Sequence, residues 1–200
     1  MHITNIKPRR HRMSALFLDG NPTLIDTETL LFSGLRPGDQ IDEEELASLK
    51  QQSDCNRAYE KALYLLEYRA HSRGELMRKL RAVFPAPVCE EAVAKIEQLG
   101  LIDDETFARE FAAELAEKKS FAPRRIRLEL EKRGIDRELI DEVLSEREDN
   151  PVEDIAAVIR KKYMPIPENQ KELSRIYAAL ARMGYGYGDI KSAIEQIQYD

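Results

Sequence analysis

Two hundred residues that are 42% apolar and 34% charged, with no Trp, suit one or two compact domains or a short array of small helical cores with much solvated surface. A net charge of −6 argues against a protein that coats nucleic acid with cations over its whole surface, because backbone affinity needs many cationic contacts, but it leaves room for a local basic face. No run approaches the roughly 20 apolar residues of a membrane span, no signal-peptide core follows Arg9, Arg10 and Arg12, and Cys55 and Cys89 are too few for a disulfide scaffold, so the expectation is a soluble, cytosolic, monomeric chain with reduced, buried thiols.

In chain order, Ile3–Ile6 and Met13–Leu18 are strand-like, Asp19-Gly20-Asn21-Pro22 is a turn signal, and Thr23–Ile25 returns as a third strand. A short helix is expected over Thr27–Phe32 before Gly34. After the Pro37-Gly38-Asp39 turn, Asp42 caps a helix through Leu49. Residues 1–54 therefore form a small β-rich extension, too short to be very stable alone, with its boundary near Gln51–Asp54.

From Cys55 onward the pattern is helical and repeats every fifty residues without a gap. Leu76, Ile126 and Ile176 share this step, as do Leu80, Leu130 and Leu180, and also Ala58, Ala108 and Val158. Each unit reads as three helices, over 55–102, 103–149 and 150–200. In the first, Ala58, Ala62, Leu65 and Leu66 face inward, Ser72 and Glu75 make a capping box, and Val88, Ala92, Ile96 and Leu99 line the third helix. The middle unit is the clearest. Asp103 or Asp104 is its N-cap, Phe107, Phe111 and Leu115 fall four apart beside Ala108 and Ala112, and Pro123 fits the first turn of the next helix. Ile126 and Leu130 form that helix's apolar stripe, Gly134 ends it in the left-handed conformation before Ile135, and Leu139, Ile140, Val143 and Leu144 close the unit. The last unit opens at Asn150-Pro151 as N-cap and first-turn proline, and Gly184-Tyr185-Gly186-Tyr187-Gly188 reads as a flexible turn between helices. The expected fold is mainly α, an elongated array of three tandem three-helix repeats with a small β-containing N-terminal extension.

No constellation of catalytic, cofactor-binding or metal-ligating residues is visible. His2, His11 and His71 are scattered, and Asp103 and Asp104 are already used as caps. Charge is more informative. Lys118–Arg133 holds seven Lys or Arg against two Glu, and Arg69–Arg81 holds five bases against one acid, in equivalent helices of successive units. Asp136–Asp149 reverses the sign, with seven acids and two bases. Ordinary solvated helices account for this pattern. So does a cationic ridge meeting a phosphate backbone or an acidic protein groove.

The run Leu101-Ile102-Asp103-Asp104-Glu105-Thr106-Phe107-Ala108, followed by Pro123-Arg124-Arg125-Ile126, Glu129-Leu130 and Gly134-Ile135, resembles the signature of the RecX family. His71-Ser72-Arg73-Gly74-Glu75-Leu76 through Lys79-Leu80 is similar to that family's other recurrent stretch. The likeness implies three tandem three-helix units and a non-enzymatic regulator of the RecA recombinase. Such a regulator lies in the groove of the RecA–single-stranded-DNA filament and limits strand exchange, ATP hydrolysis and coprotease activity. On that reading the partner-facing residues are Arg73, Arg78, Lys79 and Arg81, then Lys118, Lys119, Arg124, Arg125, Arg127, Lys132 and Arg133. Family members are often basic and this chain is acidic, which favours contact with protein. The rival expectations are a helical module binding single- or double-stranded DNA directly, and an adaptor for another protein.

Overall fold

A computed structural model describes residues 1–147, 150–167 and 169–199. The fold is mainly α with one small antiparallel sheet, and the chain divides into two compact units, Met1–Ile102 and Asp103–Asp200.

The first unit opens with β1 (Ile3–Pro8), β2 (Met13–Leu18) and β3 (Asn21–Asp26), paired in that order. Side chains alternate across the sheet, so Leu16, Leu18 and Ile25 share the inner face. They join Ile3, Leu30, Ile41 and Leu49 in one buried cluster. Asp26 ends β3 and caps α1 (Thr27–Ser33), whose C-terminus is closed by Gly34 at φ +70°. Asp42 and Glu45 form a reciprocal capping box at the start of α2 (Glu43–Tyr68).

That helix departs from the sequence expectation of one helix ending near Leu49 and another starting at Cys55. It runs unbroken for 26 residues, about 39 Å. Leu49 packs on the sheet while Ala58 and Ala62 pack in the next cluster, so one rod serves two cores. Nothing between Gln51 and Asp54 breaks a helix, and Ser53 is buried there, its hydroxyl accepting from the Asp26 backbone N–H at 2.7 Å. Beyond it, α3 (Arg73–Arg81) and α4 (Ala86–Gln98) close around Leu76, Leu80, Val93 and Ile96. Leu99, expected inside, is 56% exposed because α4 has already ended at Gln98.

The second unit holds two clusters. One joins α5 (Asp104–Lys119), α6 (Pro123–Glu131) and α7 (Arg137–Ser145) around Phe107, Ile126, Leu130 and Ile140. The other joins α8 (Pro151–Lys162), α9 (Gln170–Arg182) and α10 (Tyr187–Tyr199) around Ile155, Ile159, Leu180 and Ile190. They are stitched together at the α5–α6 joint. Ser120 ends α5 at φ +55°, and Ala122 is buried in the α8–α10 cluster with its N–H donating to the Met183 carbonyl at 2.9 Å.

Three smaller readings change. Asp103, not Asp104, is the α5 cap, its carboxylate accepting from the amides of Glu105 and Thr106. Asn150 does not cap α8 through its side chain, which donates to Glu153 instead. The Gly184–Gly188 stretch is a docked turn running into α10, which starts at Tyr187: Gly184 stands at φ +99° against Arg125, and Tyr185 is buried. Glu148 and Asp149, the end of the acidic window, lie outside the described residues.

Candidate functional site

The residues of the family-like motif are folding residues. Asp103 caps α5, and hydrogen bonds from the Thr106 hydroxyl and the first-turn amides hold its carboxyl below the usual range. Asp104 occupies the first turn, where a negative charge complements the helix dipole. Phe107 and Ala108 are buried, Pro123 opens α6, Ile126 and Leu130 are fully buried, and Gly134 turns at φ +75° so that Ile135 re-enters the core.

The cationic residues separate by what they touch. On α3, Arg73 is bridged to Glu90 and Glu97 at 3.1 Å each, and Arg81 reaches Glu90 at 2.7 Å. Both acids belong to α4, so two of the four α3 cations are held within their own three-helix cluster. Arg78 is exposed, and Lys79 is exposed with no ion pair among the described residues.

On α6 the pattern is graded. Arg125 pairs with Glu129 at 2.8 Å, lies over the Phe121 ring at 5.4 Å and has a buried Nε that finds no acceptor. Lys132 also reaches Glu129, at 3.0 Å. Burial alone would push the Glu129 carboxyl up. The hydrogen bond from Lys132 and the charges of Lys132, Arg125 and Arg133 outweigh it and hold the group below its ordinary value. Arg133 is stacked over Phe111, 3.9 Å from the ring centroid. Arg127 is clasped by Asp141 of α7, while on α5 Lys118 pairs with Glu114 at 3.2 Å. Lys119 and Arg124 are exposed without an ion pair among the described residues.

The acidic window of the sequence thereby acquires a role. Asp141 takes Arg127, and Glu142 and Glu146 take Arg109 of α5, so α7 neutralises its neighbours' cations. What α6 leaves outward is a stripe at helical spacing, Arg124, Arg127, Leu128 and Glu131, opposite Ile126 and Leu130. Leu128 is 44% exposed, an apolar side chain one turn on from Arg124. In sequence it is indistinguishable from Leu130, two positions on. Only the helix phase set by Ile126 and Leu130 separates them.

Among the described residues no three His, Cys, Asp or Glu side chains gather as metal ligands. Both cysteines are free, and burial followed by the neighbouring Glu91 carboxylate pushes the Cys55 thiol up to about 12, away from nucleophilic thiolate chemistry. His71 is buried with Nδ1 against the Arg69 carbonyl at 2.8 Å, and desolvation lowers its pKa. No helix among the described residues is long and apolar enough to cross a membrane.

Against known proteins, the model of the second three-helix domain of RecX matches residues 103–144, and that of the first three-helix domain matches residues 58–95. The chain is 32% identical over 146 residues to regulatory protein RecX of Chlorobium phaeobacteroides (strain BS1), covering 72% of this chain and 96% of that one. It is 31% identical over 152 residues to regulatory protein RecX of Trichlorobacter lovleyi, covering 73% and 97%. A crystal structure of regulatory protein RecX superposes with a TM-score of 0.63 at 22% identity over 97% of this chain and 98% of the other, and RecX from Lactobacillus salivarius with 0.60 at 24% over 74% and 98%. At those identities the structural matches speak for the fold. The sequence relationship, carried across nearly the full length of two relatives, places this chain in the RecX family of regulatory proteins.

Proposed function

We propose that this chain is a cytoplasmic, non-enzymatic regulator of the RecA recombinase that binds the RecA–single-stranded-DNA filament and limits strand exchange, ATP hydrolysis and coprotease activity. Family membership is the observation that carries the reading. The outward stripe of α6 supplies its chemistry. Arg124 has no ion pair among the described residues, and beside it Leu128 offers apolar area, a combination suited to a protein surface with acidic groups more than to bare phosphate. The proposed organisation is a β-containing extension over 1–54 followed by three repeats over 55–102, 103–149 and 150–200. A monomer built this way gains avidity by touching several recombinase subunits, with no single tight contact.

The test uses Arg124→Glu with Leu128→Ser. Arg125 is left alone because its packing against Gly184 and Phe121 would confound charge with stability. Helicity and melting should be unchanged. The concentration giving half-maximal inhibition of RecA ATPase should rise about tenfold or more, the effect of losing an interface anchor. Inhibition equal to that of the unmodified chain would remove α6 from the interface.

A further inference from the structure

We propose that the β1–β2 hairpin and the outer face of the N-terminal sheet form a binding site for single-stranded nucleic acid. Lys7, Arg9, Arg10, His11 and Arg12 stand within six positions, and no acid precedes Asp19, in a chain whose net charge is −6. The surrounding acids are already engaged: Glu28 and Glu60 by Arg12, Asp54 by Arg57, and Asp26 as the buried α1 cap. Arg9, Arg10 and His11 are exposed with no such partner among the described residues.

The hairpin is also built to hold those groups still. The Met13 N–H returns to the Arg10 carbonyl, with His11 at φ +58° and Arg12 at φ +57° between them, the backbone of a type I′ turn. Such turns ordinarily use Asn-Gly, since side chains in the left-handed region are strained. Here the two positions carry His and Arg instead, and strain kept at a surface turn points to a use for those side chains. Arg12 anchors the tip to α1 and α2 through its two glutamates, and its carbonyl accepts from the Thr27 N–H at 2.8 Å. The tip is presented on a fixed scaffold.

Next to the tip the sheet face is apolar and partly open: Ala15 is buried, Met13 and Phe17 are half-buried, and Leu24 is exposed. Register places Met13, Ala15 and Phe17 of β2 and Leu24 of β3 on the face opposite Leu16 and Ile25. Met13, Phe17 and Leu24 join none of the hydrophobic clusters, and Leu24 is 59% exposed. Lys7 Nζ lies 5.5 Å from the Phe17 ring centroid, and a groove floored by Met13 and Leu24 is rimmed by Arg9, Arg10, His11 and Arg57. Cations beside a half-buried aromatic ring and an exposed leucine match a strand whose phosphates are outward and whose unpaired bases need a surface to stack on. A duplex hides those bases, and an acidic peptide has none.

The measurement is fluorescence anisotropy of a labelled oligothymidylate with the full-length chain and no recombinase. Its outcome is therefore independent of the filament reading, which the α6 variant tests separately. Arg9→Gln with Arg10→Gln should leave melting unchanged, weaken binding at low salt, and reduce the slope of log affinity against log salt by about 1.4, or about 0.7 per lost phosphate contact. Phe17→Leu should weaken binding about fivefold or more with the salt slope intact, as expected for lost stacking. Unchanged affinity in the double glutamine variant, tighter binding to the matching duplex, or equal displacement by polyglutamate would each overturn the proposal.

Discussion

Helices α3 and α6 stand fifty residues apart in register, and they agree at two core positions and disagree in nearly every charge. Leu76 and Leu80 correspond to Ile126 and Leu130, and all four are fully buried. Elsewhere along the fifty-residue step Gly74 corresponds to Arg124, Glu75 to Arg125, Met77 to Arg127 and Lys79 to Glu129. Both helices are basic in composition, yet no cation of one occupies the position of a cation in the other between Arg73 and Arg81. Packing constrains the repeat because one methylene in a close-packed core is felt, whereas exposed charges are nearly free to move. Similar net charge in two repeats is thus weak support for a shared binding face. What distinguishes α6 is that its cation without an ion pair among the described residues, Arg124, lies on a stripe that also exposes Leu128.

The comparison breaks most severely where a core is emptied. Phe107→Ala should destabilise the chain by about 3–5 kcal/mol in chemical denaturation, because the ring is buried and stacked on Phe111 at 5.7 Å. Position 57, its equivalent in the preceding repeat, is an arginine at the surface of its cluster, so Arg57→Ala should cost about 1 kcal/mol or less. Equal losses at the two positions would mean that the α5 register described here is wrong. Gly184→Ala comes next, at about 1–3 kcal/mol. It places a side chain at φ +99° and a Cβ 2.7 Å from the Cβ of Arg125, so the α9–α10 turn must move off α6. A neutral melting curve would show that this joint yields without cost. Ser72→Ala should cost about 1 kcal/mol, since the buried hydroxyl accepts from the Glu75 amide at 3.1 Å. The equivalent Ala122→Ser should gain nothing. Position 122 is buried in the α8–α10 cluster, and Pro123 already removes one orphan amide of α6. A gain there would indicate that Ala122 is less tightly packed than its contacts imply.

The apolar steps, caps and prolines made most helices and all three strands readable from the sequence, because each signal is local: Asp42, Ser72 and Asp103 announce helix starts, and Pro123 and Pro151 fit first turns. Continuity of α2 through Gln51–Asp54 was not readable. The change in texture there is tertiary, with Leu49 serving the sheet and Ala58 the next cluster along one helix. Nor could the composition of Lys118–Arg133 show which cations are engaged. That depends on acids distant in sequence, such as Asp141 for Arg127, and on aromatic rings such as Phe111 under Arg133. The docking of Gly184 is hidden from the sequence for the same reason, since Arg125, against which it packs, lies nearly sixty positions away.

The smallest effect is the most discriminating between the two helices, because position 129 carries a carboxylate where position 79 carries an ammonium. Glu129 draws Arg125 and Lys132 onto one flank of α6, and its carboxyl sits below the ordinary value because those charges outweigh its burial. A depressed folded-state pKa favours the ionised form in the native chain. The stabilisation is therefore fully present above the unfolded carboxyl's titration, near pH 4.5, and is lost as pH falls through the lower folded value. Glu129→Gln should accordingly be less stable than the unmodified chain at neutral pH, with the gap closing only in the acid range below that of a free glutamate. Lys79→Gln removes no ion pair and should stay within about 0.5 kcal/mol of the unmodified chain at neutral pH. Urea midpoints measured from pH 7 down to pH 3 distinguish the two. A gap for Glu129→Gln that stays constant over that range would mean the carboxylate acts through packing alone, and the electrostatic difference between α6 and α3 would then rest on Arg124 by itself.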